Sequence, residues 1–128
     1  MKRTKISSSD APAAIGPYSQ AIRVGDMVFL SGQIPLDPAT MQMVQGDARA
    51  QTERIMKNIT AVLAAAGLGY ANVAKTTIFL TDLGDFAAVN EVYGRAFEGI
   101  APPARSTVQV AALPRGANVE IEMIAIAG

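Results

Sequence analysis

With 128 residues, half of them hydrophobic and 17 % charged, the chain has material for one domain around one hydrophobic core, residues 1–128. Eleven Lys and Arg balance eleven Asp and Glu, which gives no general attraction for nucleic acid, anionic lipid or acidic partners. Cys and His are both absent, so a disulfide framework, a thiolate nucleophile, a Ser-His-Asp triad, a His general base and the usual Cys/His zinc sites are excluded.

The run Lys2-Arg3-Thr4-Lys5 reads as a solvated N-terminal arm. Ser7-Ser8-Ser9-Asp10 then stands where the apolar part of a signal peptide would lie. The most apolar run, Ala61 to Leu68, is too short to span a bilayer. A soluble cytoplasmic protein is the expectation. Ala21–Val24 and Met27–Ser31 read as strands joined by a hairpin turn at Gly25-Asp26. From Asp47 to Ala66 the residues Ile55, Ile59, Val62, Leu63 and Ala66 recur at helical spacing, with Arg49, Glu53, Arg54 and Lys57 outside that stripe. Gly67 suits the left-handed residue that ends such a helix.

Val73–Thr81 is rich in residues that fit a pleated surface. A second helix is predicted from Asp85 to Phe97, with Phe86, Val89, Tyr93, Ala96 and Phe97 on one face and Asp82 or Asp85 capping its start. Ser106–Ala112 and Val119–Ala127 complete the pattern. The order ββ-α-β-α-ββ predicts an α+β fold, a mixed sheet with two helices packed on one face. Along the last strand Val119, Ile121, Met123 and Ala125 take one face and Glu120, Glu122, Ile124 and Ile126 the other. That second face is apolar at one end, which calls for an oligomer in which sheets pack together.

Four stretches hold candidate chemistry. Gly16-Pro17-Tyr18-Ser19-Gln20 sets a Tyr beside stiff backbone; the plainer reading is that Tyr18 packs a turn. Ser31-Gly32-Gln33-Ile34-Pro35 ends a strand with a glycine that lets a ligand approach the backbone, although turn chemistry explains it equally well. In Pro102-Pro103-Ala104-Arg105-Ser106 a stiffened approach holds Arg105, whose guanidinium can take a carboxylate in two hydrogen bonds; an ion pair with an acidic side chain is the even alternative. Glu120 and Glu122 share a strand face, and burial or mutual repulsion would raise a carboxyl pKa there; two solvated carboxylates are the plainer reading. If the last two strands formed a simple hairpin, Arg105 and Glu120 would lie about 20 Å apart. They can share a small substrate only with another pairing of strands or from different subunits.

Ala13-Ala14-Ile15-Gly16-Pro17-Tyr18-Ser19-Gln20, Ser31-Gly32-Gln33-Ile34-Pro35, Lys75-Thr76-Thr77-Ile78-Phe79-Leu80, Phe86-Ala87-Ala88-Val89-Asn90-Glu91-Val92-Tyr93, Pro103-Ala104-Arg105-Ser106 and Val119-Glu120-Ile121-Glu122 together resemble the RidA (YjgF/YER/UK-type) family over nearly the whole chain. The resemblance implies a chorismate-mutase-like fold, a homotrimer with sites between subunits, and a last strand inserted between earlier ones. It also implies a cofactor-free, metal-free deaminase that hydrolyses reactive enamines and imines, 2-iminobutanoate and 2-iminopropanoate, to 2-oxo acid and ammonia. On that resemblance Arg105 would clamp the substrate carboxylate and Glu120 would activate water. Tyr18, Ser31 and Asn90 would line the cleft, while Gly32 and Thr107 would offer backbone groups.

Two departures from the family pattern stand out: Thr107 replaces a Cys, and Met41 stands where a Gly is common, in a loop expected outside the site. The alternatives are a deaminase of another enamine, such as aminoacrylate or 2-aminomuconate, decided by pocket residues from Tyr18, Phe86 and Ile124, or a non-catalytic carboxylate-binding, chaperone-like trimer. Ribonuclease activity has been ascribed to relatives, but nucleic acid is not the expected partner of a chain with balanced charge.

Overall fold

The computed structural model describes residues 2–128. Its elements in chain order are β1 (Arg3–Ile6), β2 (Ala21–Val24), β3 (Met27–Gln33), α1 (Ala48–Ala65), β4 (Val73–Leu80), α2 (Phe86–Arg95), β5 (Ala104–Gln109) and β6 (Val119–Ile126). The strands form one six-stranded sheet in the order β1-β2-β3-β6-β4-β5. Every neighbouring pair is antiparallel except β4 and β5, which run parallel. No helix among the described residues is long and apolar enough to cross a membrane.

The helical stripe predicted for α1 is the core stripe: Ile55, Ile59, Val62 and Leu63 are all buried. Burying each contributes about 1.5–3 kcal/mol relative to exposure. They pack with Val28 and Leu30 of β3, Ile78 and Leu80 of β4, and Val119, Ile121, Met123 and Ala125 of β6. The Asp47 carboxylate caps α1 by accepting from the Ala50 N–H at 3.0 Å. At the other end Gly67 adopts φ +74°, so that Gly67 and Leu68 donate back to Ala64 and Leu63. In α2 the buried face is Val89 and Tyr93, continued by Phe97 just past the last helical residue. Asp82 caps a short 3₁₀ turn over Leu83–Asp85, while Asp85 makes no side-chain cap to α2.

Two expectations need correction, and a strand pairing left open is decided. The segment read as a solvated arm contains β1, paired along Arg3–Ile6 with β2. Its sequence gave no strand signal because only Ile6 is buried; polar and charged side chains are what an edge strand carries to discourage further pairing. The fifth strand starts at Ala104 rather than Ser106 and ends at Gln109, because β4 supplies partners only from Lys75 to Leu80. The last two strands do not form a hairpin: β4 lies between them, and β6 is clasped between β3 and β4. Of the pairings left open above, the simple hairpin is thus the one not formed, and the apolar alternation of β6 suits a central strand with neighbours on both sides. The inserted strand is the arrangement that the family resemblance implied.

Candidate active site

Ser31 and Gly32 sit in a β-bulge. Leu30 is paired with Met123 and Gln33 with Ile121, so two residues of β3 oppose the single Glu122 of β6. The bulge brings the Gly32 backbone against the side chain of Glu120: a Cβ at position 32 would overlap the Glu120 carboxylate and lie 2.9 Å from its Cδ. The lack of a side chain at Gly32 is what admits the carboxylate. Ser31 is tied to the preceding loop, its hydroxyl donating to the Ser19 carbonyl at 2.6 Å and its N–H to the Gln20 carbonyl at 3.0 Å. Gln20, itself buried, donates to the Pro12 carbonyl and accepts from the Ser8 N–H, which fixes the loop that carries Tyr18. The sequence marked this loop but not that Gln20 is its anchor.

Tyr18 closes a turn on Gly16, its N–H donating to the Gly16 carbonyl at 2.9 Å. It is 54 % exposed and lines a cavity of about 740 Å³ with Ser31, Gly32, Glu120 and Glu122. Glu120 is half-buried, and burial first, then the charge of neighbouring Glu122, pushes its carboxyl pKa above the ordinary value. Met41 lines the same cavity, contrary to the expectation that its loop lies outside. The backbone at Met41 is left-handed (φ 59°), which accounts for the Gly common at this position in the family.

Arg105 occupies a second cavity of about 470 Å³ between α2 and β5, with Asn90, Tyr93, Phe97 and Pro103. Its Nη1 donates to Asn90 Oδ1 at 2.6 Å. The guanidinium carbon lies 5.3 Å from the Phe86 ring centroid and 5.2 Å from that of Tyr93, within cation–π reach. The Tyr93 hydroxyl is held in turn by Thr76 Oγ1 at 3.1 Å. Among the described residues Arg105 forms no ion pair; the salt bridges join Glu91 to Arg49 and Arg95. The guanidinium is thus oriented by neutral groups, and no acidic side chain among the described residues neutralises it. Thr107 follows on the same face of β5, and its hydroxyl has no hydrogen-bond partner among the described residues. Val110 donates to the Leu80 carbonyl at 2.8 Å, so the strand's alternation turns the N–H of Thr107 to the free edge of the sheet.

Arg105 and Glu120 are on opposite faces of the sheet. Arg105 is level with Thr76, whose buried side chain points to the helices, and Thr76 is level with Met123. Glu120 is three residues along β6 and, with Phe79 and Phe29, belongs to the face without helices. Two strand spacings and three residues place their Cα atoms about 14 Å apart, with the sheet between the side chains. One chain therefore brings Tyr18, Ser31, Gly32 and Glu120 to one cavity, and Asn90 and Arg105 to another. Ile124 and Phe86 fall likewise on opposite faces.

A six-stranded mixed sheet backed by two helices, with Arg105 and Glu120 in cavities on its two faces, defines the class: a small α+β domain. The family model described as Endoribonuclease L-PSP matches residues 8–127, and the chain belongs to that family, the YjgF/RidA family. It is 69 % identical to Protein DfrA of Myxococcus xanthus, over 98 % of this chain and 97 % of that one. It is 50 % identical to the 2-iminobutanoate/2-iminopropanoate deaminase of Mus musculus, over 98 % of this chain and 93 % of the relative. Among solved structures it is similar to TdcF of E. coli with bound serine, with a TM-score of 0.93 and 44 % identity over 98 % of this chain and 99 % of that one.

Proposed function

We propose that this protein hydrolyses 2-imino acids to 2-oxo acids and ammonia, at sites that Arg105 of one copy and Glu120 of a neighbouring copy complete within a homotrimer. The observation that carries this reading is the placement of the two residues on opposite faces of one sheet, each in an open cavity. The Arg105 cavity has no carboxylate to accept a proton, and in the Glu120 cavity the one guanidinium, Arg115, is engaged with the Met41 carbonyl; a second copy laid against the helix-free face would bring Arg105 to Glu120. That face has the apolar surface such packing needs: Met27 and Phe29 are each 40 % exposed and Ile126 joins them. The mouse relative's name supplies the substrate, and the serine bound to TdcF is a small carboxylate of the same class.

The chemistry follows from the residues. Arg105, kept free of acidic partners by Asn90 and the rings of Phe86 and Tyr93, takes the substrate carboxylate in a two-point hydrogen bond. Glu120, ionised above its raised pKa, accepts a proton from water as the oxygen attacks the imine carbon and the C=N electron pair moves to nitrogen. Returned to nitrogen, that proton gives an amine; Glu120 then takes the proton of the new hydroxyl and passes it to the same nitrogen, so that the carbon–oxygen double bond forms as the carbon–nitrogen bond breaks and ammonia leaves. The imine is already electrophilic, so orientation and one proton shuttle suffice. Binding of RNA finds no support in a chain whose eleven basic residues meet eleven acidic ones.

The test mixes two inactive variants. Threonine dehydratase supplies 2-iminobutanoate, semicarbazide traps what escapes, and loss of imine is followed with Arg105→Ala, with Glu120→Ala, and with the two unfolded together and refolded. Each variant alone is expected to be inactive. The mixture should recover about a quarter of parental activity, the fraction of interfaces that receive both intact residues in a random cyclic assembly. No recovery would refute the shared site. Binding of 2-oxo acids by Glu120→Ala, with no parental turnover to lose, would favour the non-catalytic carboxylate binder.

A further inference from the structure

The cavity that holds Glu120 has a far wall that the hydrolysis does not use. Two turns from distant parts of the chain meet there. One is the tight loop between Leu36 and Met43, closed by a bridge between those residues and by Met41 donating to the Asp37 carbonyl at 2.7 Å. The other is the turn from Leu113 to Asn118. At their meeting point Arg115 Nη1 donates to the Met41 carbonyl at 2.9 Å. Met41 (φ 59°) and Arg115 (φ 56°) are the only non-glycine residues with positive φ among the described residues. Such backbone persists where the surroundings fix it, and it gathers at ligand clamps.

The surroundings here are two ties to α1. Buried Asn58 donates to the Leu36 carbonyl at 2.9 Å, which fixes the base of the first loop. Gln51, seven residues earlier on the helix, donates to Asn118 Oδ1 at 3.2 Å and accepts from the Asn118 N–H at 2.9 Å, which fixes the second. Both turns are thus bolted to one rigid element and lean together over the cavity. Around their contact the lining is apolar, with Ile34, Leu36 and Pro114. The cavity of a single copy, about 740 Å³ before a neighbour covers it, leaves room along this apolar lining beyond Glu120.

We infer that the Met41–Arg115 clasp is the end wall of the substrate cavity and sets how long an apolar side chain the imino acid may carry. The inference rests on the proposed hydrolysis and names the part of the chain that selects among its substrates. The reacting carbon lies by Glu120 and Gly32, the substrate side chain runs along Ile34 and Leu36, and its tip meets Met41. Arg115 acts through Met41, as a positioning residue.

The test uses imines made in place by an L-amino-acid oxidase, from alanine as the short substrate and phenylalanine as the long one. It reads the ratio of the two kcat/KM values, from which any general change in activity cancels. Met41→Gly and Arg115→Gly both suit a left-handed backbone, so thermal melting should show folded proteins. Met41→Gly removes the wall and should raise the long-to-short ratio about tenfold, the lower end of the discrimination that one methylene group gives in an apolar pocket. Arg115→Gly releases the loop and should move the ratio in the same direction, whereas Arg115→Lys, which can still reach the carbonyl, should move it less. Ratios within twofold of the parent in both glycine variants would overturn the clasp as a selector while leaving the hydrolysis standing. A parent chain that hydrolyses neither imine overturns both.

Discussion

Replacing Gly32 with Ala separates the needs of the site from those of the fold. Gly32 has no positive φ, so its backbone accepts Ala, and the conflict is confined to the new Cβ. That atom would overlap the Glu120 carboxylate and approach Glu120 Cγ at 3.1 Å. The obstructed group is the end of a flexible side chain, so the least costly relief is a rotation of Glu120 away from the bulge. An off-rotamer side chain costs about 0.5–1.5 kcal/mol, so unfolding free energy should fall by about 1 kcal/mol or less. The displaced carboxylate, however, no longer meets the water it must activate, and misplacement of about 1 Å can cost about 10²-fold in rate. Urea unfolding and imine-trapping kinetics on the same preparation should therefore diverge: near-parental stability with kcat/KM reduced about 100-fold. Parental activity would refute the placement of Glu120 at the reacting atoms. A stability loss above about 3 kcal/mol would show that the bulge, rather than the carboxylate, yields.

Two further predictions concern stability. Because Glu120 is held above its ordinary pKa, the folded chain keeps this proton to higher pH than the unfolded chain. Stability is then lost as pH rises from about 4.5 through the folded value, and the penalty is complete above it. Glu120→Gln lacks that penalty, so it should melt above the parent at pH 8, with the difference closing as pH falls below about 4.5; an equal gap at both pH values would contradict the raised carboxyl. Asn58→Ala strands the Leu36 carbonyl and leaves a cavity under α1, and should cost about 2–4 kcal/mol in urea unfolding at unchanged m-value.

Local pattern carried much of the architecture. The helical stripe of α1, the Gly67 that ends it, and the alternation of β6 that separates Val119–Ala125 from Glu120 and Glu122 were all legible, since each depends on residues a few positions apart. Pairings between distant segments were not. β6 entering between β3 and β4 follows from where those edges meet in space, and only the family resemblance anticipated it. The site shows the same division. Arg105, Glu120 and Gly32 stood out as residue types in motifs, yet the bulge that unites Gly32 with Glu120 and the faces that part Arg105 from it arise from the register of three strands. Met41 stood out as a departure at a Gly position, which fits its left-handed backbone, but where its loop lies depends on contacts with the distant turn at Arg115.

The place of β6 has a consequence for how the protein is made. While a ribosome is still adding the residues before Val119, β1, β2 and β3 can form one ribbon, and β4 and β5 another. The flanks of β3 and β4 that β6 later occupies are then open and hydrogen-bond-hungry. The nascent chain must keep these two flanks from each other and from neighbouring polypeptides until the strand that joins them emerges, and Glu120 is delivered to Gly32 in the same step that closes the sheet.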